Sequence, residues 1–201
     1  LKVLGQESID PKAADYKAWM TKIAASNGGN PPDMIYVGMV VDNNAAQLLK
    51  DKVGAMGDNT AVKFMGPDGV QTQAFIDGAG ADVAEGAYAT VAGIPLDKLP
   101  AAGQQYLKDY AAEYGETNEP YAVYGYEAIS VVINALEKVC AAGGDAASRT
   151  AVREAVMGTK DFDGVLGKWS FDANGDTSLT DMVGYQVKGG KYGAIGQFKA
   201  E

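Results

Sequence analysis

Lys63-Phe64-Met65-Gly66-Pro67-Asp68-Gly69-Val70 decides the fold of this 201-residue chain. Residues 61–65 read as a short apolar strand that stops at Gly66-Pro67 and hands over to a helix. Proline has no N–H to give to a ladder and holds φ near its own value, so the strand ends there. Asp68 then stands at the carboxyl end of a strand with a glycine behind it. In open α/β sheets that end is where ligands bind. A carboxylate there is either the first cap of the next helix or the partner of a ligand cation, and residue type alone leaves both open.

Outward from this stretch, strands and helices alternate. Residues 1–6 read as a strand. Asp10-Pro11 reads as a helix start, with Tyr16, Trp19, Met20 and Ile23 recurring at helical spacing. Residues 34–41 are a nearly unbroken apolar run, the pattern of a strand buried on both faces in a parallel sheet. Asp42-Asn43-Asn44 reads as the cap of a second helix, and 87–92 as another strand. This order predicts α/β architecture: a parallel sheet with helices on both faces and right-handed crossovers.

After Ala92 the pattern changes. Gly93-Ile94-Pro95-Leu96 is a break, and helices follow without strands. Tyr106, Leu107, Tyr110, Ala111 and Tyr114 form one stripe, closed by Gly115. Pro120 opens the longest helix. Its apolar face is read as Gly125, Ala128, Ile129, Val132, Leu136, Val139 and Cys140, opposite Glu127, Ser130, Asn134, Glu137 and Lys138. Ser148 reads as the cap of a third helix, and Gly158 as its stop. Short strands return from Asp161 on, with turns at 172–176 and Gly189-Gly190. The expected division is 1–93 with 165–201 as one lobe and 94–164 as a helical segment of a second. Gly93, Pro95, Gly164 and Gly167 lie at the two crossings and are expected to hinge.

Composition narrows the function. With 47% hydrophobic and 21% charged residues the balance is that of a globular protein. Lys and Arg total 17 against 26 Asp and Glu, a net charge of −9. That argues against nucleic acid as a partner, because a phosphate backbone needs basic clusters. The apolar run at 34–41 is too short to span a bilayer. The absence of histidine removes the commonest general base and metal ligand. The single cysteine, Cys140, permits neither a disulfide framework nor a thiolate zinc site and is read as a buried helix residue. No metal and no cofactor are expected. Asp172-Ala173-Asn174-Gly175-Asp176 departs from a calcium loop in its glycine position and in Val183 at the twelfth place, so it reads as a turn. Gly78-Ala79-Gly80 lacks the third glycine of a dinucleotide fingerprint. Asp161 with Asp163, and Asp172 with Asp176, read as solvated turn residues. The chain is not expected to be an enzyme.

Several stretches in order carry a family likeness. They are Asp10-Pro-Lys-Ala-Ala-Asp-Tyr with Lys22-Ile-Ala-Ala; Asp33-Met-Ile-Tyr-Val-Gly; Met65-Gly-Pro-Asp-Gly-Val; Pro120-Tyr-Ala-Val-Tyr-Gly-Tyr-Glu-Ala; and the tail from Gly164 through Trp169 to Asp176. With this set the chain resembles the substrate-binding proteins of branched-chain amino acid ABC transporters, the leucine/isoleucine/valine-binding type with the type I periplasmic-binding fold.

The resemblance implies a two-lobed clamp. One lobe is a three-layer parallel-sheet unit, and the helices from about 99 to 158 belong to the other. Family chains are longer at the front, so the chain is read as a carboxyl-terminal fragment, beginning at a mature or cut end. Asp68 stands where the family's Gly-Pro-acid-Gly turn accepts a ligand's α-ammonium. Gly66 lies in the same turn, and Met39 and Val40 stand where a pocket wall is often aromatic. Tyr126 matches a cleft-facing position of the other lobe. The implied role is capture of an amino acid, branched-chain in type, and its delivery to membrane permease subunits. The implied place is periplasmic or extracellular, with a lipid anchor in the segment before residue 1. A sensory or regulatory domain of the same fold is the alternative.

Overall fold

The structure, a computed structural model, describes residues 1–115 and 121–199. It divides into a first unit, Leu1–Ala92 with Met182–Lys199, and a second, Gly93–Asp181. In chain order the first unit contributes α1 (Lys17–Ile23), β1 (Met34–Tyr36), α2 (Ala45–Met56), β2 (Lys63–Gly66), α3 (Gln73–Ala79), α4 (Ala81–Ala84) and β3 (Tyr88–Ala92). The second contributes α5 (Ala101–Tyr114), α6 (Tyr121–Ala141), α7 (Arg149–Met157), β4 (Phe162–Gly164) and β5 (Gly167–Trp169). Then β6 (Asp181–Lys188) and β7 (Lys191–Lys199) return to the first unit's sheet.

That sheet has the order β1-β2-β3-β6-β7. β1, β2 and β3 run parallel, with Ile35 opposite Phe64 and Met65 opposite Tyr88. β6 pairs antiparallel with β3, Val91 opposite Val183, so the sheet is mixed where alternation alone predicts a parallel one. Ile35 and Phe64 face a core closed by Met20 of α1, Leu48 and Leu49 of α2, and Phe75 of α3. The rings of Phe64 and Phe75 stack at 5.9 Å. Met34 and Tyr36 are exposed, so β1 buries alternate residues, not both faces as its unbroken apolar run predicts.

Two local expectations are corrected. Residues 1–6 form no strand and are exposed, because a strand with no ladder partner leaves its backbone to water. Asp10 accepts from the Lys12 amide at 2.9 Å in a turn, and α1 starts only at Lys17. Asp42 lies in the 3-10 turn Val41–Asn43, and the residue before α2 is Asn44, at φ 65°. The Asn44 side chain donates instead to the Ala13 carbonyl at 2.9 Å.

Lys52, on α2, is fully buried. Its ammonium donates to the carbonyls of Gly57 and Asp58 and to Asn59 Oδ1, at 3.1, 2.8 and 3.1 Å. Asn59 passes the tie onward, donating from Nδ2 to the carbonyls of Val83 and Glu85 at 3.0 and 2.8 Å. Burial lowers the Lys52 pKa to about 8, partly offset by Asp58. Three acceptors match the three protons that only the ammonium carries. Lys52→Met is therefore expected to leave three oxygens without this donor and to cost about 2–4 kcal/mol in urea unfolding. Wild-type stability in that variant would show that the network contributes nothing.

In the second unit Leu99, Val123 and Val165 form a small core. The stripe read for the long helix is displaced. The buried residues of α6 are Val123, Glu127, Val131, Ala135 and Val139, while Gly125, Ala128, Ile129 and Cys140 are exposed. The helix is apolar on more than one side, so periodicity could not choose the packed face. Pro120, expected to open α6, lies outside the described residues. α7 follows its expectation: the Ser148 hydroxyl accepts from the Ala151 amide, and Gly158 ends the helix.

Candidate functional site

β2 ends where the sequence says it must, and the backbone after it folds tightly. Gly66 is buried, and a Cβ there would lie 2.5 Å from Val70 Cγ2, so only glycine fits. Pro67 continues in extended backbone into the 3-10 turn Asp68–Val70. The Gln71 amide donates to the Asp68 carbonyl at 2.9 Å. α3 is capped by Thr72, whose hydroxyl accepts from the Phe75 amide at 3.2 Å. The helix-cap reading of Asp68 is thereby overturned. Asp68 is exposed at the carboxyl end of a parallel strand, the position expected of a ligand group.

Val40 stands beside this turn. A Cβ on Gly69 would lie 2.2 Å from Val40 Cγ1, so the valine packs directly on the glycine after Asp68 and keeps 41% of its surface exposed. Met39 points the other way, into the core, at 6% exposure. The alternation of extended backbone carries one of two neighbours inward, and Met39, expected on the pocket wall, is that one. Of the first-unit residues expected at the site, the structure therefore keeps Asp68 and Val40 together at the surface. Gly66 and Met39 act from behind, through packing.

Tyr126 belongs to the second unit, on α6, and is half exposed. Its ring lies 4.7 Å from that of Tyr106, which continues to Tyr110 at 5.8 Å and Tyr114 at 5.1 Å. The Tyr106 hydroxyl donates to the Ala122 carbonyl at 3.0 Å, and burial raises its pKa, helped by Tyr110 and Tyr126. Tyr126 thus rests on a braced aromatic row. The spacing of the 106/110/114 stripe showed the row, but not that α6 would supply its fourth ring.

The chain passes between units at 92–93 and 181–182. The Gly93 amide donates to the Asp181 carbonyl at 2.6 Å, so the two crossings are paired. Gly93 has φ 118°, and a Cβ there would fall 1.6 Å from the Tyr124 hydroxyl. Pro95 precedes the 3-10 turn Leu96–Lys98. Gly164 and Gly167, expected at the second crossing, lie inside the second unit in the β4–β5 hairpin. Gly167 takes φ 94° for the hairpin turn, and Gly164 makes room for Glu127. The second unit thus runs on to Asp181, past the boundary expected at 164, because two glycines in a tight hairpin look like a linker in the sequence.

Glu127, expected on a solvated face, is buried instead. Glu127 is 3% exposed and accepts from the Val165 amide at 2.9 Å and from the Trp169 indole N–H at 2.7 Å. No periodic signal marks a carboxyl group in an apolar seam.

Two surface depressions lie elsewhere. One of about 350 Å³ is lined by Leu136, Ala146, Arg149, Val152 and Arg153, and one of about 280 Å³ by Ile9, Asp10, Tyr16 and Trp19. Neither includes Asp68, Val40 or Tyr126. Among the described residues no three His, Cys, Asp or Glu side chains gather as metal ligands. Among them, too, no helix is long and apolar enough to cross a membrane.

Comparison with known proteins bears on the family and the fold. Residues 1–191 match the family model described as periplasmic binding protein. No curated protein matches the chain. Among solved structures it is similar to a leucine binding protein, LivK, from Thermotoga maritima, with TM-score 0.76 and 22% identity over 94% of this chain and 49% of that one. It is similar also to the branched-chain amino acid transporter substrate binding protein LivJ of Streptococcus pneumoniae, solved with isoleucine, with TM-score 0.74 and 26% identity over 94% and 50% of the two chains. A third is an ABC transporter solute binding protein of R. palustris, solved with benzoate, with TM-score 0.68 and 22% identity over 92% and 47%. The chain spans about half the length of these structures. Its mixed α/β sheet with an acidic turn at a strand end, and the family match along nearly its whole length, lead to one conclusion: the chain belongs to the periplasmic binding protein family.

Proposed function

We propose that this chain is the ligand-gripping part of a non-enzymatic solute receptor for ABC import, and that its ligand is an amino acid of the branched-chain type. The observation that carries the reading is Asp68, exposed on a braced turn at the carboxyl end of β2. Its carboxylate accepts the ligand's α-ammonium, a charge-assisted hydrogen bond that strengthens where water is excluded. Val40 supplies an apolar wall beside it. Such walls separate ligands weakly, by roughly 1–3 kcal/mol per methylene, which fits a receptor for several related side chains. Tyr126, half exposed on its aromatic row, is a further candidate ligand-facing side chain within the second unit. The paired crossings at Gly93 and Asp181 are the hinge. The second unit's helices 94–164 pack on the remainder of the family's other lobe, and the exposed apolar residues Ile129 and Ile133 of α6 support that reading. The loaded receptor hands its cargo to permease subunits from the periplasmic or extracellular side.

Calorimetric titration of the protein with L-leucine, L-isoleucine and L-valine tests this. Saturable binding is expected for these, and none for 4-methylpentanoate, which has the leucine skeleton without the amine. Absence of heat with every amino acid, or equal binding of the acid without the amine, would overturn the assignment.

A further inference from the structure

We propose that Tyr192 is a positioning residue for Asp68, fixing the 66–72 turn through the Val70 carbonyl; this deepens the ligand reading of Asp68 and rests on it. Tyr192 stands on β7, 122 positions after Val70, and its hydroxyl donates to the Val70 carbonyl at 2.9 Å. That carbonyl already receives the Thr72 amide at 2.9 Å. The latter bond spans two residues around Gln71, at φ −81° and ψ 57°, which is an inverse γ-turn. A carbonyl oxygen has two lone pairs, and here both are engaged. The direction of the peptide that ends the Asp68 turn is thereby set from two sides.

The donor is itself held. The β6–β7 hairpin is clasped to the same unit by the Gly189 amide, which donates to Glu85 Oε2 at 2.9 Å, and by Gln73 Nε2, which donates to the Gly190 carbonyl at 3.3 Å. Burial raises the pKa of the Tyr192 phenol far above its ordinary value, so it keeps its proton, and its role as donor, at any working pH. On its other flank the turn is closed by Val40 against Gly69. Asp68 thus rides on a backbone gripped locally by a valine and from afar by a tyrosine. A carboxylate held in this way gives up little freedom when it takes a cation, which favours binding. Without the hydroxyl, the Val70 carbonyl keeps only its γ-turn bond, and the end of the turn is less firmly set before the ligand arrives.

The test is Tyr192→Phe, which keeps the ring and removes the donor. Hydrogen exchange of the Val70, Gln71 and Thr72 amides is expected to quicken about tenfold, with the α2 amides of Leu48 and Leu49 unchanged. Affinity for L-leucine is expected to fall about 5- to 20-fold in wild type and not to fall further in an Asp68→Asn background, because the tyrosine acts through the aspartate. Unchanged exchange at 70–72 overturns the proposal. So does a loss of affinity that adds fully to that of Asp68→Asn, or faster exchange spread into α2, since either marks general support of the fold. If Asp68→Asn alone binds leucine as wild type does, the ligand reading of Asp68 fails and this role fails with it. If Asp68→Asn weakens binding but Tyr192→Phe does not, only the role of Tyr192 fails.

Discussion

Asp68→Asn is expected to weaken binding of L-leucine about 100-fold while leaving the melting temperature nearly unchanged. The substitution keeps the shape of the side chain and removes its charge. A hydrogen bond to a charged group contributes about 1.5–3 kcal/mol, and the upper part of that range corresponds to about 100-fold in affinity. The fold is expected to be retained, because Asn keeps the size of the side chain and an oxygen that can accept a hydrogen bond. Asp68 is exposed, it does not cap α3, and the turn around it is held by backbone bonds and by Val40 against Gly69. Calorimetry on both proteins reads the affinity, and thermal unfolding reads the fold. Equal affinity in the two would remove Asp68 from the site. A variant that binds poorly because it has begun to unfold would show itself in the second measurement.

Glu127→Ala is expected to destabilise the protein by about 3–5 kcal/mol. Two buried donors, the Val165 amide and the Trp169 indole N–H, lose their acceptor together. Each unsatisfied buried group costs about 1–3 kcal/mol, and the space left by the side chain adds a cavity cost. Glu127→Gln is the sharper control. It retains the volume but turns one acceptor into an NH₂ group that faces a donor, so about 1–3 kcal/mol should still be lost. Gly164 sets a further limit, because a Cβ there would lie 2.3 Å from both carboxyl oxygens. The hairpin and the helix are therefore fitted to each other around one side chain. Urea unfolding followed by circular dichroism measures all three proteins. An alanine variant within 1 kcal/mol of wild type would show that the two donors find water without penalty.

The parts of this fold set by local chemistry were readable, and those set by partners at a distance were not. β2 ends at Gly66-Pro67 because proline cannot pair, which is visible in the letters, whereas the need for glycine under Val70 is visible only in the fold. Ser148 and Gly158 bracket α7 for similarly local reasons. The failures share a cause. Residues 1–6 have the composition of a strand, but a strand exists only where another strand receives it. α6 offers apolar residues on more than one face, and the buried choice is made by other elements, as Leu99 and Val165 show where they pack on Val123. Glu127 looked like a surface carboxylate because its two donors come from residues about forty positions later. At the candidate site the acid in its turn was legible. The inward rotation of Met39 and the long reach of Tyr192 were not, since each depends on a tertiary neighbour.

The return of β6 and β7 to the first sheet has a consequence for how the protein comes into being. During synthesis the ribosome delivers β1 to β3 first and then the whole second unit. Only afterwards does it deliver the strand that covers the open side of β3 and brings Val183 and Val187 inside. Until then the nascent sheet carries a bare rim, which in a growing polypeptide invites pairing with the wrong neighbour. Contacts that span nearly a hundred residues also close slowly. Maturation should therefore be late and cooperative, and a chain halted after residue 181 should be recognised by chaperones as unfinished.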